Sequence, residues 1–350
     1  MALTINTNIA SIIAQRSLTS ATDGMNMSLE RMTTGYKINH AKDNAAGYSI
    51  ANSWETKLGS LDVAADNAAT GLDLLTTAEE TYGLLTSHLQ RVRDLTEQAA
   101  NGTYGSQSLK AIQSEIAARL NEINRLSANS EFNGIKLMAF DMDDETKNAD
   151  VGITDAGVNL QVGLYADANS TINLKVELFA KANLSGLFSG MTETFTGSST
   201  GTTGLTFTNL LTKANGSLTT LNTEAGVDAF AAACCGLKYI AGATDDDPAK
   251  FYLQEDGDYG AKEMLKYLDS AIDEISTRVT KIGAAQNRVQ SAADALDVQA
   301  QNLTSSLSTL RDTDIAEESS TYIQQQILQQ ASATLLSTAN QLPSIALNLI

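Results

Sequence analysis

LKYLDSAIDEISTRVTKIGAAQNRVQSAADALDVQAQNLTSSLSTL (265–310) carries the pattern that decides the architecture. Apolar or small residues recur there at steps of three and four: Leu268, Ile272, Ile275, Val279, Ile282, Val289, Ala293, Leu296, Ala300, Leu303, Leu307 and Leu310. Only Gln286 interrupts the line with a polar side chain. Steps that sum to seven mark a helix packed along its length against another. Burying each large side chain contributes about 1.5–3 kcal/mol, less for the alanines. Such a stripe is strongly driven to find a partner helix.

The partner is readable upstream. From Trp54 the same alternation runs through Leu58, Leu61, Ala65, Ala68, Leu72, Leu75, Tyr82, Leu85, Leu89, Val92 and Ala99, with Glu79 and Thr96 at its weak positions. At about 1.5 Å per residue this helix spans on the order of 65 Å. Gly59, Gly71 and Gly83 lie inside it, each costing about 1 kcal/mol relative to alanine. After Asn101-Gly102-Thr103, a second helix is expected over 106–128, with Leu109, Ile112, Ile116, Leu120 and Ile123 inward. Proline occurs only at Pro248 and Pro343, and aromatics make up 5% of the chain. That composition permits very long helices. The expected fold class is mainly α: a long antiparallel helical coiled-coil rod built from N- and C-terminal segments.

The two ends are nearly free of charge. Residues 319–350 contain no Asp, Glu, Lys, Arg or His, and residues 1–29 carry only Arg16 and Asp23. One end has a stripe of Ile5, Ile9, Ile12, Leu18, Met25 and Leu29; the other has Leu328, Leu335, Leu342 and Leu349, with Ala331 and Ile345 beside them. Gln, Ser, Thr and Asn fill the remaining positions, too polar for a bilayer. An uncharged amphipathic helix shows no strongly solvated face to water. Two readings stand: a terminal helix pair docked on its own protein, or ends that order only when many copies bundle. Pro343 removes one helical donor and is expected to end or bend the last helix.

The middle, 141–261, differs. Gly, Ser and Thr cluster in GSSTGTTG (197–204), and Asp245, Asp246 and Asp247 form an acidic run. VNLQVGLY (158–165) and TINLKVEL (171–178), separated by ADANS, read as a β-hairpin. The rest reads as a small α/β or β-rich insertion facing solvent.

Chemistry is sought and not found. The net charge of −18 and pI near 4.4 argue against nucleic acid. No basic and apolar leader opens the chain, so no cleaved signal peptide is expected. His40 and His88 are far apart and lack ligand spacing; His88 lies outside its helix's stripe and reads as a solvated residue. The acidic run lacks EF-hand spacing. Cys234 and Cys235 are neighbours, a poor geometry for a disulfide, and read as small buried side chains. No P-loop, GxSxG or dinucleotide fingerprint appears. The expectation is no enzyme, cofactor or metal.

LTINTNIASIIAQRSL (3–18), SLERMTTGYKINHAKDNAAGYSIA (28–51) and LQRVRDLTEQAANGTYGSQSLKAIQSEIAARLNEINRLSANSEFNGIKLM (89–138) closely resemble the N-terminal signature of bacterial flagellins. IGAAQNRVQSAADAL (282–296) and QILQQASATLLSTANQLP (326–343) resemble the C-terminal signature. The resemblance implies a division into terminal helices forming the filament inner core (1–42 and 311–350), a helical rod with its hairpin at about 158–178 (43–188 and 262–310), and a variable, surface-exposed outer domain (189–261). It implies a structural subunit of the flagellar filament, exported unfolded through the flagellum's type III channel and located outside the cell. Ile5, Ile9, Ile12, Leu18, Leu328, Leu335, Leu342 and Leu349 would then form the polymerisation core.

The implied partners are further copies of the chain, an export chaperone on the C-terminal helix (about 310–350), and filament cap and hook-junction proteins. An animal Toll-like flagellin receptor is also implied. By match to the family, Arg91, Leu95 and Glu115 would be its contacts, with Gln90, Arg93 and Ile112 nearby. Nucleic acid and membrane insertion are not implied. A hook–filament junction protein of the same architecture, and a flagellin with an enzyme in its insertion, are the alternatives. The cysteines, His40 and Lys42, and the terminal SIALNLI depart from the usual family pattern.

Overall fold

The structure, a computed structural model, describes residues 8–101, 103–138, 157–165, 167–188, 224–235, 237–240, 250–253 and 260–347. The helices are α1 (Ile9–Thr34), α2 (Ala45–Ala99), α3 (Ser106–Asn129), α4 (Leu184–Phe188), α5 (Glu224–Cys234), α6 (Gly260–Arg311) and α7 (Ile315–Leu347). Three antiparallel hairpins accompany them: β1–β2 (Glu131–Phe132 with Ile135–Lys136), β3–β4 (Val158–Gln161 with Thr171–Leu174) and β5–β6 (Leu237–Ile240 with Lys250–Leu253). The mainly α expectation holds, and the hairpin read from alternation is present with Val158 opposite Leu174. Asp247 and its neighbours, GSSTGTTG, Ile5 and Leu349 lie outside the described residues.

The chain forms two compact units, 1–63 with 297–350 and 64–296. In the second unit α2, α3 and α6 form an antiparallel bundle. Arg93 of α2 bonds Asp269 of α6, while Glu79, further back along α2, accepts from Gln286, further on along α6 (2.8 Å). Ser130, just past α3, donates to Thr81, and Arg91 reaches Glu115 near the middle of α3.

The inward line departs from the expected one by a single residue over part of each long helix. Ala64, Gly71 and Ala78 are buried on α2, while Ala65, Leu72 and Glu79 are half-buried; on α6, Ala271, Arg278 and Ala285 take the places expected for Ile272, Val279 and Gln286. A helix touching two neighbours buries a stripe broader than one heptad seam. Which edge of that stripe lies deepest is set by the neighbours.

Gly71 shows the cause. A Cβ built on it would lie 2.3 Å from Leu160 Cδ1 of β3, and Asn67 donates to Gln161 O at 3.1 Å beside it, so the hairpin seats on a glycine. Gly83 has nothing within 4 Å of such a Cβ. Gly83→Ala should therefore raise stability by up to about 1 kcal/mol through helix propensity. Gly71→Ala should lose that gain, because Leu160 must leave its seat. Thermal unfolding of the two variants beside the parent reads the difference; equal gains would contradict it.

α2 begins nine residues before the expected Trp54. The signal was Asn44, whose side chain accepts from Gly47 N at 2.9 Å as a cap. Asp43 accepts from the His40 and Asn39 amides just before it, and the His40 amide bond is the main cause holding its carboxyl below the usual range.

α7 does not stop at Pro343 but continues to Leu347. A proline inside a helix leaves one carbonyl four residues back without a donor and costs about 3 kcal/mol or more. Here that carbonyl, Ala339 O, accepts instead from Asn8 Nδ2 at 2.7 Å.

Part of the stretch read as a solvent-facing insertion is interior. Residues 227 and 229–235 are buried, α5 packs on α3, and the Phe230 ring lies 4.9 Å from that of Phe188. Cys234 and Cys235 are buried free thiols, as read. Burial pushes the Cys234 thiol up to about 12, so it is protonated and inert at neutral pH.

Candidate polymerisation and receptor surfaces

α1 and α7 lie against each other, antiparallel. Ser11 Oγ donates to Asn340 Oδ1 (2.8 Å), Gln329 donates to Thr22 (3.1 Å), and Ser319 lies against Met32, so progress along α1 is retreat along α7. The packed seam is made of small or uncharged polar groups at intervals of seven. Ala14, Ala21 and Ser28 are buried on α1; Ser332 and Ala339 are buried on α7, with Gln325 reaching over Gly24. At the base of the pair Arg31 faces Glu318 at 3.7 Å; Arg31 Nε and Glu318 Oε1 are buried without a hydrogen-bond partner.

The joint below is zipped by backbone. Thr313 N donates to Gly35 O, Lys37 N donates to Arg311 O, and Tyr36 bridges Asp312. Gly35 ends α1 with φ 75, the left-handed cap that glycine adopts without strain. The Arg311 guanidinium stacks 4.1 Å above the Tyr36 ring and pairs with Glu55.

Most of the large apolar side chains expected to form the polymerisation core point away from the seam. Ile9 is 65% exposed and Leu335 63%; Ile12, Ile13, Leu29, Ile323, Ile327 and Leu328 are also exposed, whereas Leu18 is half-buried. The Leu342 side chain, like Ile5 and Leu349, is outside the described residues. Between the helices runs an apolar groove lined by Ala10, Ile13, Leu328, Ala331 and Leu335. Each alanine in the seam removes little apolar area. Nine exposed Ile and Leu side chains on the two helices each leave up to about 1.5–3 kcal/mol of burial unused within the chain. That second quantity is several times the first, so the ends are built mainly to meet something else. The small-residue repeat at 14, 21 and 28 was present in the sequence but was overshadowed by the larger residues.

The six residues expected to meet a receptor do not share one surface. Gln90 and Arg91 are exposed on α2, and Arg91 makes a forked contact through Nε (3.0 Å) and Nη2 (2.9 Å) to Glu115 of α3. Arg93, two positions on and therefore on another face, turns to Asp269 of α6 and to Glu97. Leu95 is 2% exposed and Ile112 8%, both inside the bundle. His88 is half-buried with Nδ1 sealed from solvent and unpaired, not the solvated residue expected.

A residue with no sequence signal organises the other side of the bundle. Arg278 of α6 is 7% exposed and donates through Nη1 to Ala180 O and Lys181 O, both at 3.0 Å, while Nε bonds Glu274. Tyr82 OH of α2 donates to Leu178 O at 3.2 Å. Burial raises its phenol above the ordinary range. Together they hold the segment after β4 against the helices. An arginine one place off an apolar stripe reads as solvated; only the carbonyls facing it reveal the burial.

Among the described residues there is no group of three His, Cys, Asp or Glu side chains that could hold a metal, and no helix long and apolar enough to cross a membrane.

Comparison with known proteins gives the family. Residues 5–141 match the bacterial flagellin N-terminal helical region and 265–350 the bacterial flagellin C-terminal helical region. The chain is 32% identical over 393 aligned positions to polar flagellin F of Vibrio parahaemolyticus, and 32% over 394 to flagellin B of Vibrio cholerae, covering all of each chain in both cases. Among solved structures it aligns with the crystal structure of Bacillus cereus flagellin at 19% identity and a TM-score of 0.39, over 69% of this chain and 94% of that one. With matched regions at both ends and full-length relatives, the chain belongs to the bacterial flagellins, the structural subunits that polymerise into the extracellular flagellar filament.

Proposed function

We propose that the exposed Ile and Leu side chains of α1 and α7 are the contacts by which neighbouring copies bury one another in the filament's inner layer. The observation that carries this is a helix pair whose own seam is Ala and Ser while its large apolar residues face outward. Ile9, Ile12, Leu328 and Leu335 are the central contacts; Ile5, Leu18, Leu342 and Leu349 belong to the same proposed core. The division into terminal core (1–42 and 311–350), helical middle (43–188 and 262–310) and outer part (189–261) belongs to the same reading. So does its role as a structural protein without catalytic activity. The test is sedimentation of purified chain after salt-induced assembly, with and without a charge at one of these positions.

The same exposed surface needs covering before assembly. The C-terminal helix, 310–350, is the segment an export chaperone would hold on the way to the type III channel, and the growing end would meet cap and hook-junction proteins. Export in an unfolded state suits ends whose own pairing is weak.

For the released monomer, Gln90, Arg91 and Glu115 form the receptor-facing patch. Arg93 contributes from a neighbouring face, and Leu95 and Ile112 act by holding α2 and α3 in register. Arg91→Ala should lower Toll-like receptor activation by roughly tenfold or more, as loss of a central charged contact does. Leu95→Ala should lower thermal stability as well. A reporter-cell titration beside a melting curve separates the two; full activation by the Arg91 variant would remove the patch.

A further inference from the structure

The two ends of the chain meet at Asn8, which uses both halves of its amide. Its Oδ1 accepts from Ser11 N at 3.1 Å, capping α1. Its Nδ2 donates to Ala339 O at 2.7 Å. In an unbroken α-helix Ala339 O would receive the N–H of residue 343, four places on. Residue 343 is proline, which has no N–H to give. The helix nevertheless continues to Leu347. Ala339 is itself buried, so water has poor access to a freed carbonyl there.

We propose that Asn8 supplies the hydrogen bond Pro343 cannot, so that the last turn of α7 becomes helical only once the start of α1 is seated beside it. Asn8 is a positioning residue for the C-terminal end, and the pairing is one of order. The dependence runs one way: α1 carries its own cap in Asn8, whereas α7 takes its missing donor from that same side chain. A chain arriving with α7 unaccompanied stops being helical near Ala339. One with α1 in place runs on, carrying the apolar residues beyond Pro343 along the same axis.

The test separates capping from donation. Asn8→Ser keeps an N-cap oxygen but ends one bond short of Ala339 O. Full-length parent, N8S, P343A and the N8S/P343A double variant are polymerised, and hydrogen exchange of the 340–347 peptide is followed in each filament. N8S should exchange there roughly tenfold faster, the factor a hydrogen bond of ordinary net strength supplies. The double variant should return to the parent's rate, because alanine restores the N–H. Parent-like protection in N8S overturns the proposal, as does a double variant exchanging as fast as N8S. If N8S does not polymerise at all, recovery of filaments in the double variant supports the proposal and continued failure overturns it.

Discussion

Leu335→Asp is expected to abolish polymerisation of the full-length chain while leaving the helical content of the 64–296 unit unchanged. Leu335 is 63% exposed, so the single molecule loses little packing when it is replaced. On the proposed assignment a neighbour covers the same position in the filament, and the carboxylate would arrive where almost no cation can answer it. Residues 319–350 carry no charge, and 1–29 offer only Arg16 as a basic group. Burying an unpaired carboxylate costs several kcal/mol, and the lost leucine burial adds about 1.5–3 more. A total of roughly 5 kcal/mol or more raises the critical concentration by over a thousandfold. Leu335→Met, close in volume and still apolar, should polymerise near the parent's concentration. Filaments of the Asp variant at parental concentration would refute the assignment of this face.

Arg278→Met should be the most damaging substitution in the 64–296 unit. It keeps an apolar stem of similar length but removes the guanidinium that serves Ala180 O and Lys181 O. Each bond involves a charged donor, worth about 1.5–3 kcal/mol, and the two carbonyls are left with poor access to water. A loss of roughly 3–5 kcal/mol follows, which lowers the melting temperature of a unit this size by on the order of 10 °C. The neighbouring Lys281–Glu177 pair, at 3.0 Å, has both side chains about half exposed, so solvent screens it. Lys281→Met should change the melting temperature little. If both variants melt together near the parent, the buried guanidinium is not what holds the 176–182 segment.

Much of this architecture was legible in residue order. The heptads after Trp54 and Leu265, the break at 101–103, the alternation in 158–161 and 171–174, and the absence of charge at both ends are periodic or compositional features. Such features survive without knowledge of neighbours. The family signatures at 28–51 and 326–343 then narrowed the reading to filament subunits. The seam itself was less legible. Ala64 and Ala65, or Ile275 with Arg278 and Val279, lie within one broad apolar stripe, and pattern alone cannot say which edge meets two partners. Leu95 and Ile112 looked like surface contacts by family match, yet both lie within the bundle of α2, α3 and α6. Arg93 was grouped with Arg91 by the same family match, whereas two residues' separation on a helix turns them to different faces.

The amino-acid order alone determined that this chain is helical at both ends, short of proline, nearly uncharged at both ends, and without catalytic groups in any recognisable spacing. Only the tertiary structure decided that Ala14, Ala21, Ser28, Ser332 and Ala339 face inward while Ile9, Ile12 and Leu335 face out, that Arg278 is interior, and that Asn8 meets the carbonyl stranded by Pro343. The physical reason is the range of the causes. Helix formation and amphipathicity are set by residues three and four apart, whereas the direction each face takes is set by groups hundreds of residues away, which no local pattern contains.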